Sequence, residues 1–531
     1  MLNDPADPGA ARLLNLAKRA YGGGDKPGAV ALARQVLLRR PRDATALQIL
    51  GVIALQAGDF AAARRHLEAS NAAAENATTL NMLGVAASQS GDAIAARGAF
   101  ARAGALGLID GWRNLATAQA GDAAAQIASY QRALLLAPND AASHAGLAQA
   151  YEVRHDLAHA REHAKTALEN DANNVAARLT LARILMREEA FAEAEAAATS
   201  AFENTRATQE QRIIALGLVG DARDRRGDTH GAFQAFTAAN RLTMQLHGAW
   251  LDATERLYHP QNVARMAKVV QQAQARAPAY SCATPTPTFL VGFPRSGTTL
   301  LDQILSSHGA ILCLEEKEYF GEALGAVLAE PARVWEIGGI DAREAEAVRH
   351  GYWERVGDQR NALVVDKFPL NIVVLPLIKQ IFPDAKIIFA LRDPRDVVLS
   401  CFQQRFTINA AMAQFLDLER AGAYYDQIMS LFELCRERLD LDLHEVRYED
   451  VVADLEGEAR ALCSFLGVSF ESSMLDYQKT ALLRHIATPS ARQVIQPLYQ
   501  RSIGRWRRYE LELEPVLPVL SPWAERFGYA A

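Results

Sequence analysis

No run of about eighteen apolar residues occurs in this 531-residue chain, so no candidate membrane-spanning helix is present in the sequence. Cysteine is scarce. The five thiols (Cys282, Cys313, Cys401, Cys435, Cys463) are odd in number and form no C-x-x-C, which argues against a disulfide framework and predicts reduced, buried side chains. The twelve histidines lack metal-ligand spacing, and no metal site is expected. A basic excess is missing too: the formal net charge is −6, which argues against a general nucleic-acid binder. The opening MLNDPADPGAARLLNLAKRA has acids and prolines where a signal peptide has basic residues and an apolar run. Together these absences point to the cytoplasm.

Half of the residues are hydrophobic and 22% are charged, the balance of an ordinary globular protein. At this length two or three domains are expected. The first half repeats itself. Gly-Asp pairs stand at Gly24-Asp25, Gly58-Asp59, Gly91-Asp92, Gly121-Asp122 and Gly227-Asp228, the first four separated by 34, 33 and 30 residues. His155-Asp156 and Glu189-Ala190 fall where two degenerate pairs are due before Gly227. Small-residue helices follow some of these turns, as in Phe60-Ala61-Ala62-Ala63 and Phe191-Ala192-Glu193-Ala194, and other helices precede them. A unit of this period cannot bury its apolar face alone, so neighbouring units must stack. The pattern resembles the tetratricopeptide repeat and spans residues 10–245 in six or seven units. Such a solenoid offers a concave surface for a protein or peptide, or serves as a scaffold or dimerisation arm. Residues 246–287 read as a helical junction followed by a Pro- and Thr-rich linker, APAYSCATPTPT.

From Thr288 short apolar runs alternate with amphipathic segments. That order predicts an α/β domain over residues 288–531, three-layered and P-loop-like, with a mainly parallel sheet. Candidate strands are Thr288–Gly292, 362–365, Lys386–Leu391 and 443–447; helices begin near Thr298, Arg343, Val373, Arg395, Phe415 and Leu455. The strands' carboxyl ends share one rim, where open α/β sheets bind ligands.

At that rim lies FLVGFPRSGTTLLDQIL, residues 289–305. An uncharged apolar run leads into a loop bounded by Gly292 and Gly297, and apolar residues at helical spacing follow the Thr pair. Strand, tight loop and helix N-terminus aim backbone N–H groups and the helix dipole at one point, which suits a phosphate. A nucleotide-triphosphate P-loop has the same Gly spacing but puts Lys after the second Gly; this chain has Thr298, and the positive charge is Arg295 inside the loop. An ordinary strand–turn–helix corner competes with this reading. A second stretch, RDPRDVVLS, places Arg392 at the end of a strand and Ser400 about two turns into the next helix, a pair able to grip another phosphate. Taken without the glycine loop, a rim salt bridge and a helix serine would explain it.

With these segments located, residues 285–510 resemble the sulfotransferases that use 3′-phosphoadenosine 5′-phosphosulfate (PAPS), and within them the tyrosylprotein sulfotransferases and the bacterial enzymes carrying N-terminal tetratricopeptide repeats. The shared set is PRSGTT, the Glu315-Glu316 pair, DKFPLN, RDPRD, RYEDVVADLEG and RQVIQPLYQRSIGRWRRYE. The resemblance implies that Arg295, Ser296, Gly297, Thr298 and Thr299 hold the 5′-phosphosulfate, and that Arg392, Ser400 and Tyr448 hold the 3′-phosphoadenosine part. It implies Glu316 as catalytic base, Lys367 as the cation on the sulfonyl group or bridging oxygen, and Ser490 and Arg505 near the transferred group. The chain departs from the family where Glu-Thr-Arg after the base reads Glu316-Lys317-Glu318, and where Arg505 replaces Lys. The first departure bears on the acceptor.

His308, in SSHGA, is a second candidate base, although a histidine at a helix C-terminus more often caps it. Arg501, Arg505, Arg507 and Arg508 around Trp506 read as a flap over a twice-phosphorylated nucleotide rather than a nucleic-acid patch. The expected activity is sulfuryl transfer from PAPS, without a metal, to protein or peptide tyrosine brought by the repeats. A small-molecule, lipid or sugar hydroxyl is the alternative acceptor, and a homodimer is compatible. The rival classes are a repeat-based interaction protein with an inactive nucleotide domain and a P-loop kinase, which the missing Lys disfavours.

Overall fold

The computed structural model describes residues 7–272, 284–327, 340–357, 362–484 and 500–530. Cys282 and Ser490 lie outside them. The chain divides into two compact units, Met1–Ala222 and Arg223–Ala531.

The first unit is a tetratricopeptide-type solenoid of antiparallel helix pairs, from Pro8–Gly22 with Lys26–Arg39 to Val175–Arg187 with Phe191–Glu203. Its turns show why the Gly-Asp pairs recur. Gly24, Gly58, Gly91 and Gly121 hold φ between 78° and 94°, a left-handed turn that glycine adopts without strain. The Asp that follows caps the next helix: Asp25, Asp59, Asp92 and Asp122 accept the N–H three residues on at 2.9 to 3.0 Å. Each such cap stabilises its helix by about 1 kcal/mol. The degenerate pairs keep the turn. His155 and Glu189 take φ 63° and 60°, Asp156 still caps, and Ala190 has no side chain to do so. Close helix crossings use glycine. A Cβ on Gly51 would stand 2.6 Å from Leu67, one on Gly84 2.5 Å from Phe100 and one on Gly146 2.2 Å from Tyr130.

Among the described residues the second unit is built on five parallel strands: β1 Thr288–Gly292, β2 Ile311–Leu314, β3 Leu363–Lys367, β4 Lys386–Leu391 and β5 Asp442–Arg447, in the order β2-β3-β1-β4-β5. Alternation along the strands divides the core in two. Phe289, Val291, Ile387, Phe389 and Leu391 face one layer; Leu290, Val365, Ile388 and Ala390 face the other, with Leu300, Leu301, Ile304 and Leu305 of the helix Thr298–Ser306. The first layer also takes Ala232 and Phe236 from the helix Thr229–His247, and Asn240 there donates to the Phe402 carbonyl at 2.9 Å. Two strand details differ from expectation. β2 lies in the four-residue run ILCL, which the sequence reading passed over, and β3 extends through Lys367 instead of ending at residue 365. Pairing along β1, where Leu290 stands opposite Lys367, carries the strand that far. The strand order switches sides at β1, with β3 and β2 added on one side and β4 and β5 on the other. The crevice at its carboxyl end is where such sheets bind ligands.

Candidate active site

The loop after β1 is shaped by backbone conformations that side chains resist. Gly297 sits at φ 97° and is the N-cap of the helix Thr298–Ser306; Arg295 adopts φ 73°, uncommon for a residue with a side chain. Gly292 passes so close to β4 that a Cβ there would meet the Ala390 carbonyl at 2.7 Å. Beneath the loop the buried Cys401 thiol donates to the Pro294 carbonyl at 3.3 Å, and burial pushes that thiol's pKa well up, so it stays protonated. The hydroxyl-bearing Ser296, Thr298 and Thr299 are all buried. Gly297 has no side chain to cap the helix, whose N-terminus lies at the end of the loop.

Arg295, Arg392, Ser400 and Tyr448 come together around this loop. Arg295 Nε donates to Ser400 Oγ at 3.0 Å. Arg392 Nη1 donates to the Arg295 carbonyl at 3.2 Å, and its Nη2 donates to the Ser502 carbonyl. The Arg392 guanidinium lies 4.9 Å from the Tyr448 ring centroid, and that ring presses on Gly297, where a Cβ would meet it at 3.0 Å. A side chain there would have to push the ring aside and hold a strained φ. Arg392 Nε is buried without a hydrogen-bond partner among the described residues. An orphaned guanidinium N–H beside a tight loop fits an anion-binding site.

Across β1, Lys367 and Glu316 meet. Lys367, 1% exposed, donates to Glu316 Oε1 at 2.9 Å and lies 3.8 Å from Asp302 Oδ2 on the loop's helix. Glu316 is the more open partner, with 30% of its side chain accessible. Beside Lys367, Asp366 is fully buried; it accepts from the Tyr352 hydroxyl at 3.1 Å and burial pushes its pKa up to about 7.

Three other expected residues sit as follows. His308 is buried with both ring nitrogens engaged by backbone: Nε2 donates to the Ser469 carbonyl at 2.7 Å and Nδ1 accepts from the Ala310 N–H at 3.1 Å. Arg505 pairs with Asp224 at 3.0 Å, and Tyr509 donates to the same carboxylate at 2.6 Å. Ser490 falls outside the described residues.

Sequence reasoning missed the anchors behind these groups. Asp396 accepts the Gly504 and Trp506 N–H groups at 2.7 Å each, which holds that segment against the Arg392 loop; burial raises its pKa and Arg392 opposes the rise. Arg395 forms an ion pair with Asp393 at 2.8 Å and stacks 3.9 Å from the Trp506 ring centroid. Asp302, a lone acid in TTLLDQILS, and Arg484 were not singled out either. An acid on an otherwise apolar helix was the available signal. Their pairing, 182 positions apart, was not visible.

The second unit is thus an α/β domain whose glycine loop carries its positive charge at Arg295, with Thr298 where a P-loop has lysine. Residues 287–472 match the model of the sulfotransferase family, so the second unit carries a sulfotransferase-family domain. An uncharacterized protein of Aquifex aeolicus (strain VF5) is 29% identical over 336 residues, which cover 60% of this chain and 42% of that protein. Protein-tyrosine sulfotransferase 1 of Danio rerio is 27% identical over 257 residues, 45% of this chain and 71% of that protein. The chain therefore spans less than half the length of the Aquifex relative. Among solved structures, the sulfotransferase domain from the Synechococcus PCC 7002 olefin synthase aligns with 22% identity and a TM-score of 0.35, over 49% of this chain and all of that one. Among the described residues no helix is long and apolar enough to cross a membrane.

Proposed function

We propose that the protein transfers a sulfuryl group from PAPS to a hydroxyl acceptor, with protein or peptide tyrosine as the acceptor class and residues 10–245 as the arm that recruits it. The observation that carries this reading is the Lys367–Glu316 hydrogen bond of 2.9 Å, one strand away from the Arg295 loop. It joins a cation for the oxygens that gain charge to a carboxylate for the acceptor proton.

In this reading the loop amides, Arg295, Ser296, Thr298 and Thr299 take the 5′-phosphosulfate. Arg392, Ser400 and Tyr448 take the 3′-phosphoadenosine part, with the orphaned Arg392 Nε available to it. During transfer the S–O bond to the donor phosphate breaks as the acceptor oxygen bonds to sulfur. Negative charge grows on the bridging oxygen and is met by cations already in place. Glu316 accepts the hydroxyl proton, a contribution of roughly 10²–10⁴-fold. His308 is unsuited to that role, because backbone groups occupy both of its nitrogens. Ser490 and Arg505 are assigned to the transferred group by resemblance alone. The buried, unpaired thiols of Cys313, Cys401, Cys435 and Cys463 support a reducing compartment such as the cytoplasm.

The relatives named as protein-tyrosine sulfotransferases favour tyrosine. Glu316-Lys317-Glu318, where the family carries Glu-Thr-Arg, keeps lipid, sugar and small-molecule hydroxyls as outcomes of the test. Incubating the full chain and a chelator with sulfur-labelled PAPS, a tyrosine peptide and a cell extract reads out the acceptor. Label on polypeptide supports the proposal, and label on lipid or sugar revises the acceptor. No transfer without metal and ATP would overturn it.

A further inference from the structure

Glu316, Lys367, Asp302 and Arg484 form a chain of alternating charge that runs from the mouth of the site into the protein. Lys367 Nζ is 2.9 Å from Glu316 and 3.8 Å from Asp302; Arg484 Nη1 donates to Asp302 Oδ1 at 3.1 Å. Asp302 is 2% exposed and its carboxylate is held on all sides. Besides Arg484 it accepts from Ser306 Oγ at 3.1 Å and from Gln303 Nε2 at 3.1 Å. Arg484 is itself pinned, since it donates to Ser306 Oγ and, through Nη2, to the Cys313 carbonyl of β2 at 3.1 Å. A carboxylate fixed in this way cannot turn away from the lysine.

An ammonium as buried as that of Lys367 requires a counter-charge, and the proposed reaction removes one. When Glu316 takes the acceptor proton it becomes neutral, just as charge peaks on the donor oxygens. Among the described residues, Asp302 at 3.8 Å is then the carboxylate left in ion-pair range of Lys367. We infer that Asp302 is a positioning residue for sulfuryl transfer: it keeps the Lys367 ammonium charged and directed at the loop while Glu316 changes protonation, and Arg484 holds Asp302 in place. This rests on the sulfotransferase reading.

The test is a double-mutant cycle on the full chain, with a tyrosine peptide and cell extract supplying the acceptor hydroxyl and conversion of PAPS to 3′-phosphoadenosine 5′-phosphate as the readout. Wild-type turnover is measured first; its absence means that the sulfotransferase reading fails, and this inference with it. With wild-type turnover present, Asp302→Asn lowers kcat by about tenfold or more while the KM for PAPS stays within about twofold. In the Lys367→Ala background the same substitution changes the residual rate by less than about twofold, because its effect passes through the lysine. Equal losses in both backgrounds, or wild-type kcat in Asp302→Asn, overturn the inference. If Asp302→Asn does not fold, Arg484→Gln, which releases Asp302 but leaves it charged, is put through the same cycle. A severalfold kcat loss that vanishes with Lys367→Ala supports the inference, and an additive loss or none overturns it.

Discussion

Arg392 Nη1 donates to the carbonyl oxygen of Arg295 at 3.2 Å, so the arginine that follows β4 is tied to the backbone of the glycine loop after β1. The two candidate phosphate grips are therefore joined directly. Arg392→Ala removes a guanidinium that both binds and braces. We expect 3′-phosphoadenosine 5′-phosphate to bind about 100-fold more weakly, a loss of roughly 3 kcal/mol, as read by calorimetry. Arg392→Lys should recover little, because an ammonium cannot match the guanidinium fork. Wild-type affinity in either variant would remove Arg392 from the donor site.

Gly297 combines a φ of 97° with a Tyr448 ring 3.0 Å from where its Cβ would be. Gly297→Ala should lower stability by about 1–3 kcal/mol and weaken donor binding, since the ring and the loop must both shift. Thermal unfolding with and without 3′-phosphoadenosine 5′-phosphate measures both effects. An unchanged ligand-induced rise in Tm would show that the loop tolerates the methyl group.

Asp366 gives the fold a pH dependence. Burial lifts its pKa from the usual carboxylate value to about 7, against the lowering effect of Tyr352 and Lys367. The folded chain thus holds a proton that the unfolded chain releases near pH 4, and stability falls as pH rises from about 4 to about 7, then levels. Asp366→Asn lacks this proton. Its Tm should fall less than that of the wild type between pH 5 and pH 7.5, and parallel curves would contradict the assignment.

In the first unit, Gly146 lies against the Tyr130 ring, with 2.2 Å between the ring and a Cβ built at the glycine. Gly146→Ala should overpack this crossing and destabilise the repeats by about 1–3 kcal/mol. Urea unfolding followed by circular dichroism checks it.

Much of this was legible because it is local. Gly-Asp spacing marked turns whose φ values and Asp caps are fixed within a few residues, and it located even the degenerate turns at His155 and Glu189. β1 and β4 matched their expected bounds because each is an apolar run flanked by turn or charged residues. β2 escaped because four residues between a helix and a charged stretch carry no period of their own. The site divided along the same line. Arg295, Lys367 and Arg392 stand at strand ends within recognisable strings, whereas Asp302–Arg484 and Arg505–Asp224 are contacts between distant segments that no spacing encodes.

The choice of base is tested most directly by turnover of Glu316→Ala beside His308→Ala, with labelled PAPS and a tyrosine peptide. Glu316 reaches the open side of the Lys367 pair, while His308 is spent on the Ser469 carbonyl and the Ala310 N–H. Glu316→Ala should lose roughly 10²–10⁴-fold in kcat, and His308→Ala should keep near-normal kcat with a lowered Tm. Near-normal kcat in Glu316→Ala would contradict the proposed mechanism.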